Sequence, residues 1–401
     1  MRDDDVPTES RRDRNHRHRT HPRRLGTLLL SLVALLVATT IAGLVLLWPG
    51  ERHQVAPFAA PGATVHTGTV ASSHSTPCSS GGATATTPSC AMAQVLVDDG
   101  PDKGQVVDVQ IPPDAVAAGL TNQIRIIRAP ARTGAEPAYS FQDLQRGTPL
   151  LVLAAVFVLA VVVVARWRGL LALAGLAYAA AVMFTFMLPA LLAGSSPVLV
   201  GLTAASAIMV VALYAAHGFS ARTTVALLGT MAGLAITAVI AVLAVGGAHL
   251  TGNSSDDSSL LSQQTGSLST RDLLLCGILL AGLGVLNDVT ITQSSAVWEL
   301  RAAAPAMSRR ELFGTAMRIG RDHIASTIYT IVFAYAGAAL SVLLLIVLYA
   351  QPASFTLNSN DIAEEVVRTL ASSIGLVLAV PMTTVLAVLM VPSRVTSSGA
   401  H

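Results

Sequence analysis

Apolar runs of about twenty residues recur along this sequence, and in a bilayer a run of that length meets its own backbone hydrogen bonds only as a helix. They occupy residues 25–47, 149–165, 169–188, 198–216, 225–247, 273–291, 324–349 and 369–391. Soluble domains are about a quarter charged, because charge keeps a folded surface in water. Here 12% of residues are charged and 52% are hydrophobic, so most of the exterior has to face lipid. The expected architecture is an α-helical polytopic membrane protein with about eight transmembrane helices, embedded in a lipid bilayer.

One stretch breaks the pattern. Residues 1–24 form a basic tail containing RRDRNHRHRTHPRR, and 25–47 form a signal-anchor helix ending at Trp48-Pro49, an interfacial aromatic followed by a helix breaker. Across 48–147 Pro, Gly, Ser and Thr rise, and alternating runs appear at Val65–Val70, Ala93–Val97, Gln105–Ile111 and Ile124–Arg128. Period-two alternation between turn formers predicts strands, hence a small β-rich extracytoplasmic domain. A seven-helix bundle follows over 148–391, and 392–401 form a second tail.

Arginine placement fixes the expected orientation. With the tail inside, the loops carrying Arg166, Arg168, Arg222, Arg301, Arg309, Arg310, Arg318 and Arg321 are inside too. Loops 189–197, 248–271 and 351–368 then fall outside with Asp256, Asp257, Asp361, Glu364 and Glu365, and both termini are cytoplasmic. The net charge of +2 comes from arginines in separate loops, which argues against nucleic acid as a partner.

Cys78 and Cys90 flank a Ser/Thr/Gly-rich loop in the outer segment, where a disulfide can persist, and are a possible bridge. Cys276 falls in a membrane helix and reads as a buried free thiol.

Chemistry concentrates in the sixth span, GILLAGLGVLNDVTITQSSAVWELR. Helical spacing puts Gly277, Ala281, Gly284, Asp288, Thr292, Ser295 and Glu299 on one narrow face, small at one end and acidic at the other. An ionisable group in a span usually faces a bundle interior or water and marks an ion or substrate path. Asp288 is therefore the candidate proton carrier, with Asn287, Thr292, Ser295 and Glu299 as candidate path residues. The competing reading places Asp288 at the membrane–water boundary, held by its neighbours. Glu299 and Arg301, beside Trp298, read as an interfacial belt with a local ion pair.

The stretch MSRRELFGTAMRIGRDHIAS reads as an amphipathic surface helix, with Leu312, Phe313, Ala316 and Ile319 on one side. Small residues recur in the seventh span (Ser326, Thr330, Gly337, Ser341) and the eighth (Ser372, Gly375, Ala379, Thr383). With the sixth, they predict a close sub-bundle of spans six, seven and eight. Pro381 is expected to break the eighth span. Gly229 and Gly233 make a GxxxG in the fifth, a common pattern with little weight of its own.

HExxH, GxSxG, P-loop and paired-cysteine zinc patterns are absent from the sequence, so neither a metal, a cofactor nor an enzymatic activity is expected. His16, His18 and His21 belong to the solvated tail. Asp272 lies at the outer end of its span, leaving one membrane aspartate where an intramembrane aspartyl protease needs two.

The LGVLNDVTITQSSAVWELR stretch resembles the YibE/F-like family of bacterial multi-pass membrane proteins. Tyr139 through Asp143 and Arg146, and ASSIGLVLAVPMTT in the last span, are similar to it as well. The resemblance reaches from about residue 60 to the end, while the Cys78–Cys90 insertion and the basic tail look like departures. It implies the architecture and a bacterial plasma membrane location; it brings no activity. A fainter similarity links Leu286-Asn287-Asp288 and its charged exit to the transmembrane core of the proton-driven SecD/SecF export accessory proteins. Glu299–Arg301 stand about a turn further from Asp288 than in that pattern, and its large outer domains are missing.

Two functions compete on this reading. One is a proton-coupled transporter or export accessory using Asp288. The other is a non-transporting envelope binding or assembly protein, whose outer domain recognises a ligand or an envelope or membrane protein partner.

Overall fold

The computed structural model describes residues 11–50, 62–76, 90–119, 123–130, 137–254, 256–265, 269–350 and 352–392. The chain divides into two compact units: Gln54–Val164 is one, and Met1–His53 with Ala165–His401 is the other.

The first unit is built on five strands: β1 (Thr64–Thr76), β2 (Cys90–Val97), β3 (Val106–Ile111), β4 (Gln123–Arg128) and β5 (Tyr139–Leu144). They pair antiparallel in the order β3-β2-β1-β4-β5, and edge strands β3 and β5 approach each other, curling the sheet into a half-barrel. Alternation sends Ala93, Val95 and Val97 of β2, Val109 and Ile111 of β3, and Ile124 and Ile126 of β4 into one core. The short helix α2 (Pro113–Ala117) adds Ala115 to that core. The four expected strands are present, and Tyr139–Leu144 is a fifth that its weak alternation concealed. Cys90 opens β2 and is buried; Cys78, its expected partner, lies outside the described residues.

Beside the β2–β3 hairpin, Arg128 Nε and the Tyr139 hydroxyl both donate to Asp102 Oδ2, each at 2.5 Å. The Tyr139 and Arg128 bonds hold the Asp102 carboxyl below the usual carboxylate range. Burial pushes Asp99 upward, but bonds from His66 and Thr67 outweigh it and leave this carboxyl low as well. Groups with depressed folded-state pKa values stabilise above the unfolded value, and that support is lost as pH falls through the folded value. Hydrogen exchange in β3, β4 and β5 is therefore expected to accelerate, relative to intrinsic rates, as pH drops below about 4. Asp102→Asn should show at neutral pH much of that loosening.

The second unit is helical. Its long elements are α1 (Arg11–Leu46), the part of α3 (Gly147–Val182) beyond Val164, α5 (Pro197–His217), α6 (Ala221–Gly247), α8 (Thr270–Ala303), α9 (Arg309–Ala338) and α12 (Asn360–Met390). A π-helical turn, Met183–Met187, leads from α3 into α4 (Leu188–Leu192); α7 (Asp256–Thr265), α10 (Leu340–Leu348) and α11 (Ala353–Asn358) are short. The helix α1 begins well before the apolar run it carries. Six helical stretches are long and apolar enough to cross a membrane, and α9 with α10 makes a seventh, bent by 65°. The expected spans 149–165 and 169–188 fall in one 46-residue stretch, Gly147–Leu192, which is interrupted at Arg166 (φ 52°, ψ −135°).

The centre of the bundle is α6, α8 and α12 packed on one another, with α5 and α9 against α8. The expected spans six, seven and eight do meet, as α8, α9 and α12, and the fifth span, α6, joins α8 and α12 in the closest packing. A Cβ on Gly229 would meet Thr383, and one on Gly233 would meet Leu286 and Ala379; a Cβ on Gly375 would overlap the Thr237 hydroxyl. The GxxxG is thus the floor of the tightest crossing. The stripe Ser372, Gly375, Ala379 and Thr383 is buried there, whereas Ser326, Thr330, Gly337 and Ser341 of the seventh span are exposed.

Three further expectations change. The amphipathic stretch is the first half of α9, and its Leu312 and Ala316 pack with Val225, Val297 and Ala387 in one core cluster. A capping box starts α9: Ser308 Oγ accepts from the Glu311 backbone, and the Glu311 carboxylate accepts from the Ser308 N–H. The bonds from Ser308 hold the Glu311 carboxyl below its ordinary value. The expected loop 351–368 is largely helical, so Glu364 and Arg368 belong to α12, which also runs on through Pro381. Arg301 does not pair with Glu299; it turns inward, 9% exposed, and donates to the carbonyls of Pro305 (3.3 Å) and Met307 (2.7 Å). Arg301→Ala would remove two charge-assisted bonds and the packing of the inward-turned side chain, so a loss of about 1–3 kcal/mol is expected in thermal or denaturant unfolding of the detergent-solubilised protein.

Candidate functional site

The helix α8 has two polar faces, and they behave oppositely. One is sealed in the bundle. Thr290 Oγ1 lies 2.6 Å from Thr230 Oγ1 of α6, and Ser294 Oγ donates to the Arg222 carbonyl at 2.8 Å. Gln293 Nε2 donates to Thr384 Oγ1 of α12 (2.7 Å) and to the Ala316 carbonyl of α9 (3.0 Å). These buried groups are all hydrogen-bonded, which makes them rivets that fix helix register. The sequence reading passed over them because they sit one helical step from the more conspicuous Asp288 face.

The other face carries the residues singled out from sequence. Asp288, Thr292 and Glu299 are exposed, Ser295 and Asn287 are half-buried. Among the described residues no hydrogen bond joins any of the other four to Asp288. Its partner is His323 of α9, whose Nε2 lies 3.8 Å from Asp288 Oδ2; the Asp288 side chain is 69% exposed. A lone histidine at the start of an apolar run was the available signal, and the basic neighbours around it hid it.

From this pair a polar trail climbs the seam between α8, α9 and α12. At Ala281, Gly282 and Val285 a cavity of about 230 Å³ opens, walled across the seam by Thr330 and Tyr335 of α9 and Ser372 of α12. One turn further, Arg368 of α12 reaches over Gly277. Three buried atoms on this seam, His323 Nε2, Ser372 Oγ and Arg368 Nε, have no hydrogen-bond partner among the described residues. Buried polar atoms are nearly always partnered, by protein or by water. The small residues Gly277, Ala281 and Gly282 keep α8 thin where the trail passes.

The trail ends in a second cavity, of about 280 Å³, lined by Ser254, Thr270, Cys276, Gly277, Glu364 and Arg368 among others. Glu364 is the one buried carboxylate among the described residues, 3% exposed. Ser254 Oγ donates to its Oε2 at 2.6 Å and Asn360 Nδ2 to its Oε1 at 2.7 Å. The sequence expectation puts Glu364 in the outer loop 351–368, whereas it lies in α12. The local pattern gave no sign that α12 starts at Asn360 and carries Glu364 inward. No group of three His, Cys, Asp or Glu side chains able to hold a metal occurs among the described residues.

A bundle of apolar helices with a polar seam between three of them defines a multi-helix membrane protein. More narrowly, the model of the YibE/F-like protein family matches residues 153–393, and the chain belongs to that family. The match takes in α8, α9 and α12 with the whole seam and starts beyond β5, so the likeness read at Tyr139–Arg146 lies outside it. No curated protein and no solved structure matches the chain. The fainter similarity to the SecD/SecF core rests on the quoted residues alone.

Proposed function

We propose that this protein is a proton-coupled transporter or export accessory whose proton path follows the α8–α9–α12 seam. The observation that carries this reading is three buried polar atoms along one seam, His323 Nε2, Ser372 Oγ and Arg368 Nε, that have no hydrogen-bond partner among the described residues, with a cavity at Ser372. The cavity wall is mostly apolar, but Thr330, Tyr335 and Ser372 offer three polar groups to a water, and a water held by them would link groups too far apart to touch. From Gly277 to Asp288 the path climbs about 16 Å, half a bilayer's hydrocarbon thickness. Asp288 and His323, 3.8 Å apart, form its proton-accepting end, a carboxylate and an imidazole being the usual side chains of an intramembrane proton relay.

In this reading the protein crosses the membrane eight times, the break at Arg166 dividing Gly147–Leu192 into two spans and the bent α9–α10 pair forming one. Arginine-rich loops support a cytoplasmic position for the Arg301 end of the bundle and for both termini, in a bacterial cell, with the β unit outside. The alternative, an envelope binding or assembly protein, draws its support from the β unit, which has a core of its own.

Single cysteines at Ala281, Thr292, Thr330 and Ser372, in a background without Cys78, Cys90 and Cys276, test the path with a small charged thiol reagent. Labelling at all four positions, with Leu279 on the packed face protected, is the expected result. Protection of all four in a protein that inserts and folds would discard the path and leave the binding reading in front.

A further inference from the structure

The cavity at Glu364 carries a charge pattern that narrows what fits it. On one wall a buried carboxylate is held by two neutral donors, Ser254 and Asn360, and among the described residues faces no cation within ion-pair distance. Each of its oxygens keeps a lone-pair direction free after accepting one bond. On the other wall stands Arg368, whose Nε is buried and without a hydrogen-bond partner. Its nearest acid, Glu365 Oε2, is 3.5 Å away, close enough for attraction but not for a hydrogen bond. The remaining lining is largely apolar, with Met187, Leu273 and Leu280.

A ligand with one charge would answer one of these walls and leave the free hydrogen-bonding positions of the other unmet. A ligand carrying an ammonium and a carboxylate on the same carbon answers both. The volume of about 280 Å³ sits at the small end of ligand pockets and suits a modest apolar side chain between the charges. We propose that this cavity binds a small zwitterion of the α-amino acid class, its ammonium on Glu364 and its carboxylate on Arg368. Cys276 and Leu280 then face the side chain. Binding here does not rest on the proton path, because it is an equilibrium property of one end of the bundle.

The test is calorimetry on the full chain in detergent or nanodiscs, with glycine, alanine, valine and leucine as probes. Isobutylamine and isovalerate, which are valine without its carboxylate and without its ammonium, complete the set. Valine is expected to bind saturably, and each single-charge analogue about tenfold more weakly or worse. In Arg368→Gln, valine should fall to the level of isobutylamine, and in Glu364→Gln to that of isovalerate. The analogue series on the unaltered protein needs no variant to fold. Absence of heat from all four amino acids up to about 20 mM would overturn the proposal. So would isobutylamine binding as tightly as valine, which would make the cavity a simple amine site. Neither result touches the labelling of the seam, so the two readings fail separately.

Discussion

Gly375→Leu is expected to prevent the bundle from folding, while Gly337→Leu, on the neighbouring helix, leaves it intact. Even the first carbon of a side chain at Gly375 would overlap Thr237 Oγ1, and the Gly233 carbonyl stands 3.1 Å from the same point. Overpacking a core costs about 1–3 kcal/mol where side chains can yield, and more where backbone opposes backbone, as it does here. The obstructing hydroxyl is itself pinned, since Thr237 Oγ1 donates to the Gly233 carbonyl at 3.0 Å. A Cβ at Gly337 meets nothing within 4 Å. Size-exclusion profiles and thermal unfolding of the two variants in detergent check this directly. A monodisperse Gly375→Leu protein with native melting would show that the α6–α12 crossing is looser than its geometry implies.

The second large effect is functional. Asp288→Asn is expected to abolish proton movement in proteoliposomes, read with a trapped pH dye under an imposed potential, by about a hundredfold or more. Yield and melting temperature should not change. The side chain is mostly exposed and its contact with His323 is 3.8 Å, so little packing depends on it. His323→Gln should lower the same flux and leave Asp288 in place. If Asp288→Asn retains native flux, the carboxylate is not the carrier; if it fails to fold, its role is structural. Gln293→Leu supplies the contrast: it removes bonds to Thr384 and Ala316 and should destabilise the bundle by about 1–3 kcal/mol.

Much of the architecture was legible in the sequence because hydrophobic length and period are local properties. The strand runs from Val65 to Arg128 alternated cleanly, and their inward residues are the core of the half-barrel. The membrane runs stood out by length alone. Where helices begin was less visible: α9 and α12 both start well before their apolar stretches, at Arg309 and Asn360, because caps and first turns are polar. That extension is what brought Glu364, counted as a loop acid, into the bundle.

The candidate site was half legible. A lone carboxylate in an apolar run, Asp288, announces itself, since its desolvation would be costly anywhere near lipid. Which residue faces it does not, because His323 is 35 positions away and nothing in either helix fixes their relative rotation. The same limit explains the misjudged stripes. Small residues at helical spacing mark a face able to approach a neighbour, and α6, α8, α9 and α12 all carry such a face.

By itself, then, the sequence determined a β-rich unit joined to a membrane bundle, the approximate extent of each helix, and the presence of one conspicuous acid. These follow from period, length and charge within single segments. The tertiary structure alone decided that α6 joins α8 and α12 at the centre, that Asp288 meets His323, and that Glu364 and Arg368 share a cavity. Each of those depends on how helices rotate against one another. That rotation is set by the sum of many weak contacts across the whole bundle, and it leaves no mark on any one stretch of chain.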